Sequence, residues 1–291
     1  RRSIPPFLGG LERLNPEWSA AVAEKLWFHV GRPPALAVRG RHPIPDGQPC
    51  EVSLRGTPIR GMRWGDPGAD LAYLVHGWGG WWQQLGSFVP VLLERGYQVV
   101  TFDALAHGES GPGAYGRRSS SVPEMAECYQ AVADRFGTPS ATIAHSMGCL
   151  SVVWAQRHHD VVPERQVLVA AAATTQGMID VFTRTVRMGA RTTDLLGQRF
   201  ERRIGRPLRD FDLLPLVAAE RTDRGLVDAL IIHDRNDAMT SAVESEALAA
   251  QWPNSELLLT EGLGHYRVLR APETLTAVGD FVSRPSGLGA S

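Results

Sequence analysis

From residue 71 onward, short apolar runs alternate with stretches whose apolar positions recur every three to four residues. Residues 71–75, 97–102, 141–145 and 166–172 read as buried strands. Between them, residues 84–95, 123–136 and 147–159 read as helices. Runs this short that are apolar throughout fit strands covered on both faces, and their alternation with helices predicts βαβ units in a mostly parallel sheet. The alternation stops at 174–225, which is helical in pattern and has no clear strand. It resumes with strands at 229–233 and 256–260 and helices at 241–252 and 272–283. An interruption of about 50 residues inside a regular α/β pattern predicts an inserted helical cap.

Ahead of this region, residues 15–30 predict a helix. Asn15 can cap it, Pro16 suits its first turn, and Trp18, Val22, Leu26 and Val30 mark the expected buried stripe. Residues 31–49 hold five prolines and read as an extended connector, and 50–65 as a hairpin turning around Gly56-Thr57. The predicted organisation is an N-terminal arm (1–49), an α/β core in two parts (50–173 and 228–291), and a cap (174–227).

Composition narrows the function. Thirty basic and 31 acidic residues leave a formal charge of −1, and 43% of the chain is apolar. With no basic excess to displace counterions, neither nucleic acid nor an acidic membrane is an expected partner. Cys50, Cys128 and Cys149 stand apart, so no disulfide framework is expected. All basic residues but Lys25 are arginine. The predicted cap carries ten arginines against seven acids, a weak tilt toward anionic ligands at most. The first residues, Arg1-Arg2-Ser3-Ile4-Pro5-Pro6, are followed by no apolar stretch or A-x-A site, and no run is long enough to span a membrane. A cytoplasmic protein is the expectation.

The chemistry gathers at predicted strand ends. Ala144-His145-Ser146-Met147-Gly148 passes from a strand into a helix, a turn that lifts a serine Oγ above the sheet. A nucleophilic Ser146 needs a base and the base an orienting acid. His265 follows the strand at 256–260, and Asp234 and Asp237 follow the strand at 229–233. Asp234 comes directly off its strand, where a carboxylate holds the turn, so Asp237 is taken as the acid. Open α/β sheets collect their sites at this edge. Of the other histidines, His145 should point beneath the turn, His233 reads as structural, and His158 and His159 close a helix.

An oxyanion needs two backbone N–H donors. Met147, directly after the serine, is one candidate. Trp78 is the other, in the flexible loop His76-Gly77-Trp78-Gly79-Gly80. Trp78, Trp81 and Trp82 place three indoles in five residues, and at least one is expected to line an acyl pocket. His76, Gly77, Trp81 and Trp82 are the substrate-binding candidates. No metal-ligand spacing is present, and neither metal nor other cofactor is expected.

These motifs together resemble the α/β-hydrolase superfamily over roughly residues 50–285. They are His76-Gly77-Trp78-Gly79-Gly80, then Asp103-Ala104-Leu105-Ala106-His107-Gly108-Glu109-Ser110, then residues 144–148, and last Asp237 with Gly264-His265. Three positions depart from the family pattern: Leu105 and Ala106 replace Pro and Gly, and Ala144 replaces the first glycine of G-x-S-x-G. The resemblance implies acyl transfer to water through an acyl-enzyme on Ser146, with a small or medium acyl compound as substrate. Thioester or carbon–carbon bond hydrolysis on the same residues is the alternative. A ligand-binding protein that kept the fold without catalysis is the alternative from another class.

Overall fold

Eight strands form one sheet in the order β1-β2-β4-β3-β5-β6-β7-β8. The computed structural model describes residues 7–31, 43–218 and 227–284. Part of the expected connector (32–42) and of the expected cap (219–226) therefore lies outside the described residues. β1 (Gln48–Leu54) and β2 (Thr57–Trp64) form an antiparallel hairpin, and β2 joins β4 (Gln98–Phe102) antiparallel. The remaining pairings, through β3 (Leu71–Val75), β5 (Ala141–His145), β6 (Arg165–Val169), β7 (Asp228–Asp234) and β8 (Ser255–Thr260), are all parallel. The hairpin turns at Arg55-Gly56, one residue earlier than expected. Both residues have positive φ (52° and 80°), the conformation a two-residue hairpin turn of matching twist requires.

Every residue of β3, β4, β5 and β6 is buried, which explains their unbroken apolar runs. Successive side chains alternate between two cores. Tyr73, Val75, Val100, Phe102 and Leu168 pack with helices α4 (Val122–Phe136), α5 (Met147–His159) and α9 (Ala242–Gln251). Ala72, Leu74, Val99, Ile143 and Ile232 pack on the opposite face with α3 (Phe88–Leu93) and α11 (Pro272–Val282). The expected helix at 84–95 divides into a 3₁₀ turn (Trp82–Leu85) and α3. Gly86, between the two, lies against the Ile44 side chain. The apolar run 166–172 leaves the sheet after Val169, because Ala170 turns with φ 51°.

The segment between β6 and β7 holds α6 (Thr175–Val186), α7 (Ala190–Ile204), a 3₁₀ turn (Leu208–Phe211) and α8 (Leu213–Ala218). At the N-terminus, α1 (Phe7–Leu14) leads to α2 (Pro16–Trp27), whose first N–H groups are capped by the Asn15 side chain. The stripe expected to be buried on α2 is split: Trp18 is 67% and Leu26 40% exposed, while Val22 is half-buried and Val30, past the helix end, is buried. Ser19, Ala20, Ala23 and Glu24 face inward instead. These small residues let α2 lie close to α7, where Glu24 meets Arg199 (2.7 Å) and Arg203 (3.2 Å). Two cap arginines are thus committed to a carboxylate of the same chain. Among the described residues, no helix is long and apolar enough to cross a membrane.

The loop after β4 is held by Asp103, whose carboxylate accepts the N–H groups of Trp82 (2.6 Å) and Glu109 (2.9 Å). Gly108 (φ 44°) lies so close that a Cβ there would sit 1.9 Å from an Asp103 oxygen. Ala106, at a position the family fills with glycine, is in the left-handed region at φ 66°. Two opposite outcomes follow in chemical denaturation. Gly108→Ala should lose about 3 kcal/mol through the clash with a pinned carboxylate. Ala106→Gly should be neutral or stabilising by up to about 1 kcal/mol, since relief of strain outweighs the extra freedom of the unfolded chain.

Candidate active site

The parallel pairing of β3 with β5 sets Val75 opposite Ala144, so His76-Gly77 and His145-Ser146 leave the sheet side by side. Ser146 forms the turn with φ 55° and ψ −122°, a conformation that costs a non-glycine residue about 1–3 kcal/mol. Its N–H bonds to Val169 O (2.9 Å), and its carbonyl accepts from Cys149 (3.0 Å) at the start of α5. A Cβ at Gly148 would lie 2.5 Å from His76 O, so that glycine is required by close approach. Ala144 sits in extended β5, fully buried, where a methyl group is accommodated.

Ser146 Oγ donates to His265 Nε2 (3.1 Å), and His265 Nδ1–H donates to Asp237 Oδ2 (2.7 Å). The Asp237 side chain has no exposed surface, and that of His265 is 5% exposed. The other Asp237 oxygen accepts the N–H groups of Met239 (2.7 Å) and Thr240 (3.1 Å). Thr240 Oγ1 also donates to Oδ2 (2.9 Å), and His233 Nε2 stands 3.6 Å away. Burial works to raise the Asp237 carboxyl. The contacts with His233, His265 and Met239 N–H outweigh it and hold the group well below the usual carboxylate range. Asp234 does different work, holding the loop that carries His265. Its two oxygens accept from Asn236 N (3.0 Å), Gly264 N (2.8 Å), Leu263 N (3.0 Å) and Thr260 Oγ1 (2.8 Å).

Helix α10 (Gly264–Arg267) carries His265 itself. His145 lies beneath the turn, as its strand position predicts, with Nε2 3.0 Å from His265 O. It thereby ties the base's backbone to the residue before Ser146.

Ser146, Met147, Gly77, Trp78 and His265 open onto a cavity of about 390 Å³. Its walls are mainly apolar: Trp27 and Phe28 from the end of α2, Phe182 from α6, Phe200 from α7, then Phe211 and Leu150. Trp27 meets Phe182 and Phe200 edge-on, at 5.1 and 4.7 Å between ring centres. No arginine among the described residues lines this cavity. Neither the Met147 N–H nor the Trp78 N–H has an acceptor among the described residues.

Three substrate-binding candidates lie elsewhere. The loop reverses at Gly79 (φ 65°), and Trp81 and Trp82 just beyond it line no part of the cavity. Trp81 is buried and bonds to Gln83 Oε1. Trp82 packs against Trp64 with the rings tilted by 50°, 5.8 Å between ring centres. His76 is buried between the loop and Ala104. Only Gly77 of the four remains at the cavity. The aromatic wall from α2, α6 and α7 was missed, although Trp27-Phe28 at a helix end and Phe182 and Phe200 in the insertion were its visible signal. His233 and Thr240 as partners of Asp237 were also missed; their spacing of four before and three after it was the available clue.

A sequence profile of the Alpha/beta hydrolase family matches residues 72–278. The chain belongs to this family. No curated protein sequence matches it. Among solved structures, this hydrolase-family chain is similar to the Pyrococcus furiosus esterase Pf2001, at a TM-score of 0.63 and 17% identity, over 88% of this chain and 97% of that one. It is also similar to Est1E from Butyrivibrio proteoclasticus bound to ferulic acid, at a TM-score of 0.60 and 18% identity, over 80% and 96%. A third likeness is to the thioesterase domain of the curacin biosynthetic pathway, at a TM-score of 0.59 and 12% identity, over 82% and 100%. At these identities the likeness is one of fold.

Three of the buried histidines around the site of this α/β-hydrolase resist protonation. Burial holds His76, His107 and His145 below the ordinary imidazole range, His107 to about 3. The unfolded chain therefore takes up protons that the folded chain refuses. Stability is complete above the unfolded pKa near 6.5 and falls as pH drops below it. Urea unfolding at pH 7 and pH 5 should show a loss of about 2 kcal/mol from the His107 ring, with His76 and His145 adding to it in the same direction. A stability that is level over that interval would contradict the assignment of neutral rings.

Proposed function

We propose that the protein is a serine hydrolase that cleaves an ester-type bond of an apolar acyl compound through an acyl-enzyme. The observation that carries this reading is the unbroken line from Ser146 Oγ through His265 to Asp237, at 3.1 and 2.7 Å. With Nδ1–H donated to Asp237, Nε2 is the free lone pair that takes the Ser146 proton as Oγ attacks the carbonyl carbon. The N–H groups of Met147 and Trp78, without acceptors among the described residues, receive the oxygen as it becomes negative, each donor being worth about 3–4 kcal/mol in such chemistry. The imidazolium, steadied by an Asp237 that stays ionised, protonates the leaving group. Water then attacks the acyl-enzyme while His265 Nε2 takes its proton, and His265 passes that proton to Ser146 Oγ as the Oγ–acyl bond breaks and the carboxylic acid leaves.

The cavity supports an apolar acyl part. At roughly 30 Å³ for each water-sized unit, about 390 Å³ accepts on the order of a dozen heavy atoms, a medium-length acyl chain or an aryl acyl group. The named activities of the esterase, Est1E and thioesterase folds agree with acyl transfer, and none of them selects the leaving group here.

A fluorophosphonate probe should label the wild type and fail to label Ser146→Ala; an unlabelled, folded wild type would sink the reading. Asp237→Asn should lower kcat by about 10²–10⁴ with little change in KM. Across p-nitrophenyl esters, kcat/KM should peak at medium chain length, and Phe200→Ala should move the peak to longer chains. Acyl thioesters turned over more than tenfold faster than matched esters would favour the thioesterase alternative.

A further inference from the structure

The Gly77–Trp78 peptide lies in the most permissive stretch of the chain. Glycines flank Trp78 on both sides and a third follows, so little in the loop's own backbone prevents this peptide from rotating. Yet the proposed reaction needs its N–H aimed at one place. Two donors hold the carbonyl of the same peptide: His76 Nδ1 at 2.7 Å and Gly80 N at 3.0 Å. The C=O and N–H of a trans peptide point in opposite directions within one plane. Fixing Gly77 O on one side therefore fixes Trp78 N–H on the other. Gly77 abuts the nucleophile turn: a Cβ added there would lie 2.8 Å from Ser146 Cβ.

The ring is itself oriented. Ala104 N–H donates to His76 Nε2 at 3.0 Å. That nitrogen is therefore an unprotonated acceptor, and in the neutral ring the hydrogen sits on Nδ1, facing Gly77 O. His76 is 1% exposed and lines no part of the cavity, so it touches no substrate. The neighbouring His107 ring, 4.9 Å away, is also buried and neutral.

We infer that His76 is a positioning residue for the oxyanion site: its Nδ1–H clamps Gly77 O and thereby aims Trp78 N–H at the oxygen of the tetrahedral intermediate. The inference rests on the proposed acyl transfer at Ser146.

Three variants test it. His76→Ala removes the clamp. His76→Asn returns an amide N–H close to the Nδ1 position, and His76→Gln carries its amide farther out, near Nε2. The ester kcat should fall roughly 10- to 100-fold in the Ala and Gln variants, with KM within threefold, and recover most of the way in the Asn variant. Affinity for butylboronic acid, whose serine adduct is a tetrahedral anion, should fall in step with kcat. If the Ala variant does not fold, the Asn and Gln pair carries the comparison. Wild-type kcat in Ala or Gln, a loss confined to KM, equal loss in Asn and Gln, or unchanged boronate affinity would overturn the inference. Boronate affinity is read without turnover, so it separates the two ideas. A wild type that cleaves no ester but whose boronate affinity falls on His76→Ala keeps the positioning role and sinks the ester reading.

Discussion

The site depends on how closely two parallel strands end beside one another. β3 and β5 pair in register, and their exits, His76-Gly77 and His145-Ser146, approach until no side chain fits between them. Gly77 and Gly148 are the positions where that contact is made, and Ser146 takes a strained backbone to stay in it. The apposition brings a serine hydroxyl next to two main-chain N–H groups without acceptors among the described residues.

Three buried or nearly buried carboxylates maintain the surrounding loops, each in a different manner. Asp103 gathers the loop after β4, Asp234 gathers the loop that delivers His265, and Asp237 points at the His265 ring itself. Each has several donors, the condition under which a carboxylate can remain charged away from water. The histidines divide similarly. His265 bridges Ser146 and Asp237, while His145 and His76 tie loops together through backbone oxygens. A cluster of imidazoles at one sheet edge is therefore mainly an orienting framework, with a single ring placed to exchange protons with the serine.

The wall opposite the serine comes from outside the core. The N-terminal helix and the helices between β6 and β7 meet through small residues and the Glu24–Arg199–Arg203 ion pairs. Their aromatic side chains then line the space above Ser146. The arginine excess of the inserted segment is partly spent on this contact: Arg203 also lies over the Phe28 ring at 4.4 Å. The cavity it helps to enclose stays apolar.

The buried strands and the order of the site residues were legible in the sequence, because both are local properties. A strand covered on both faces must be apolar throughout, and 71–75 and 141–145 agree with the structure to the residue. Ser146, Asp237 and His265 follow strand ends, and a parallel sheet delivers all its C-terminal ends to one edge. Periodicity held only in part on α2, where the stripe Trp18, Val22, Leu26 and Val30 reads as a core face but Trp18 and Leu26 are exposed. There the deciding factor was which side could approach α7 closely, and alanines with a paired glutamate did so. Proximity along the chain failed for Trp81 and Trp82, which lie just beyond the left-handed Gly79 and line no part of the cavity. The sequence by itself determined the sheet, its buried faces and the residues available for chemistry. Only the tertiary structure decided which of them share the site, because that choice rests on close contacts between segments far apart in the chain, and no local pattern encodes such contacts.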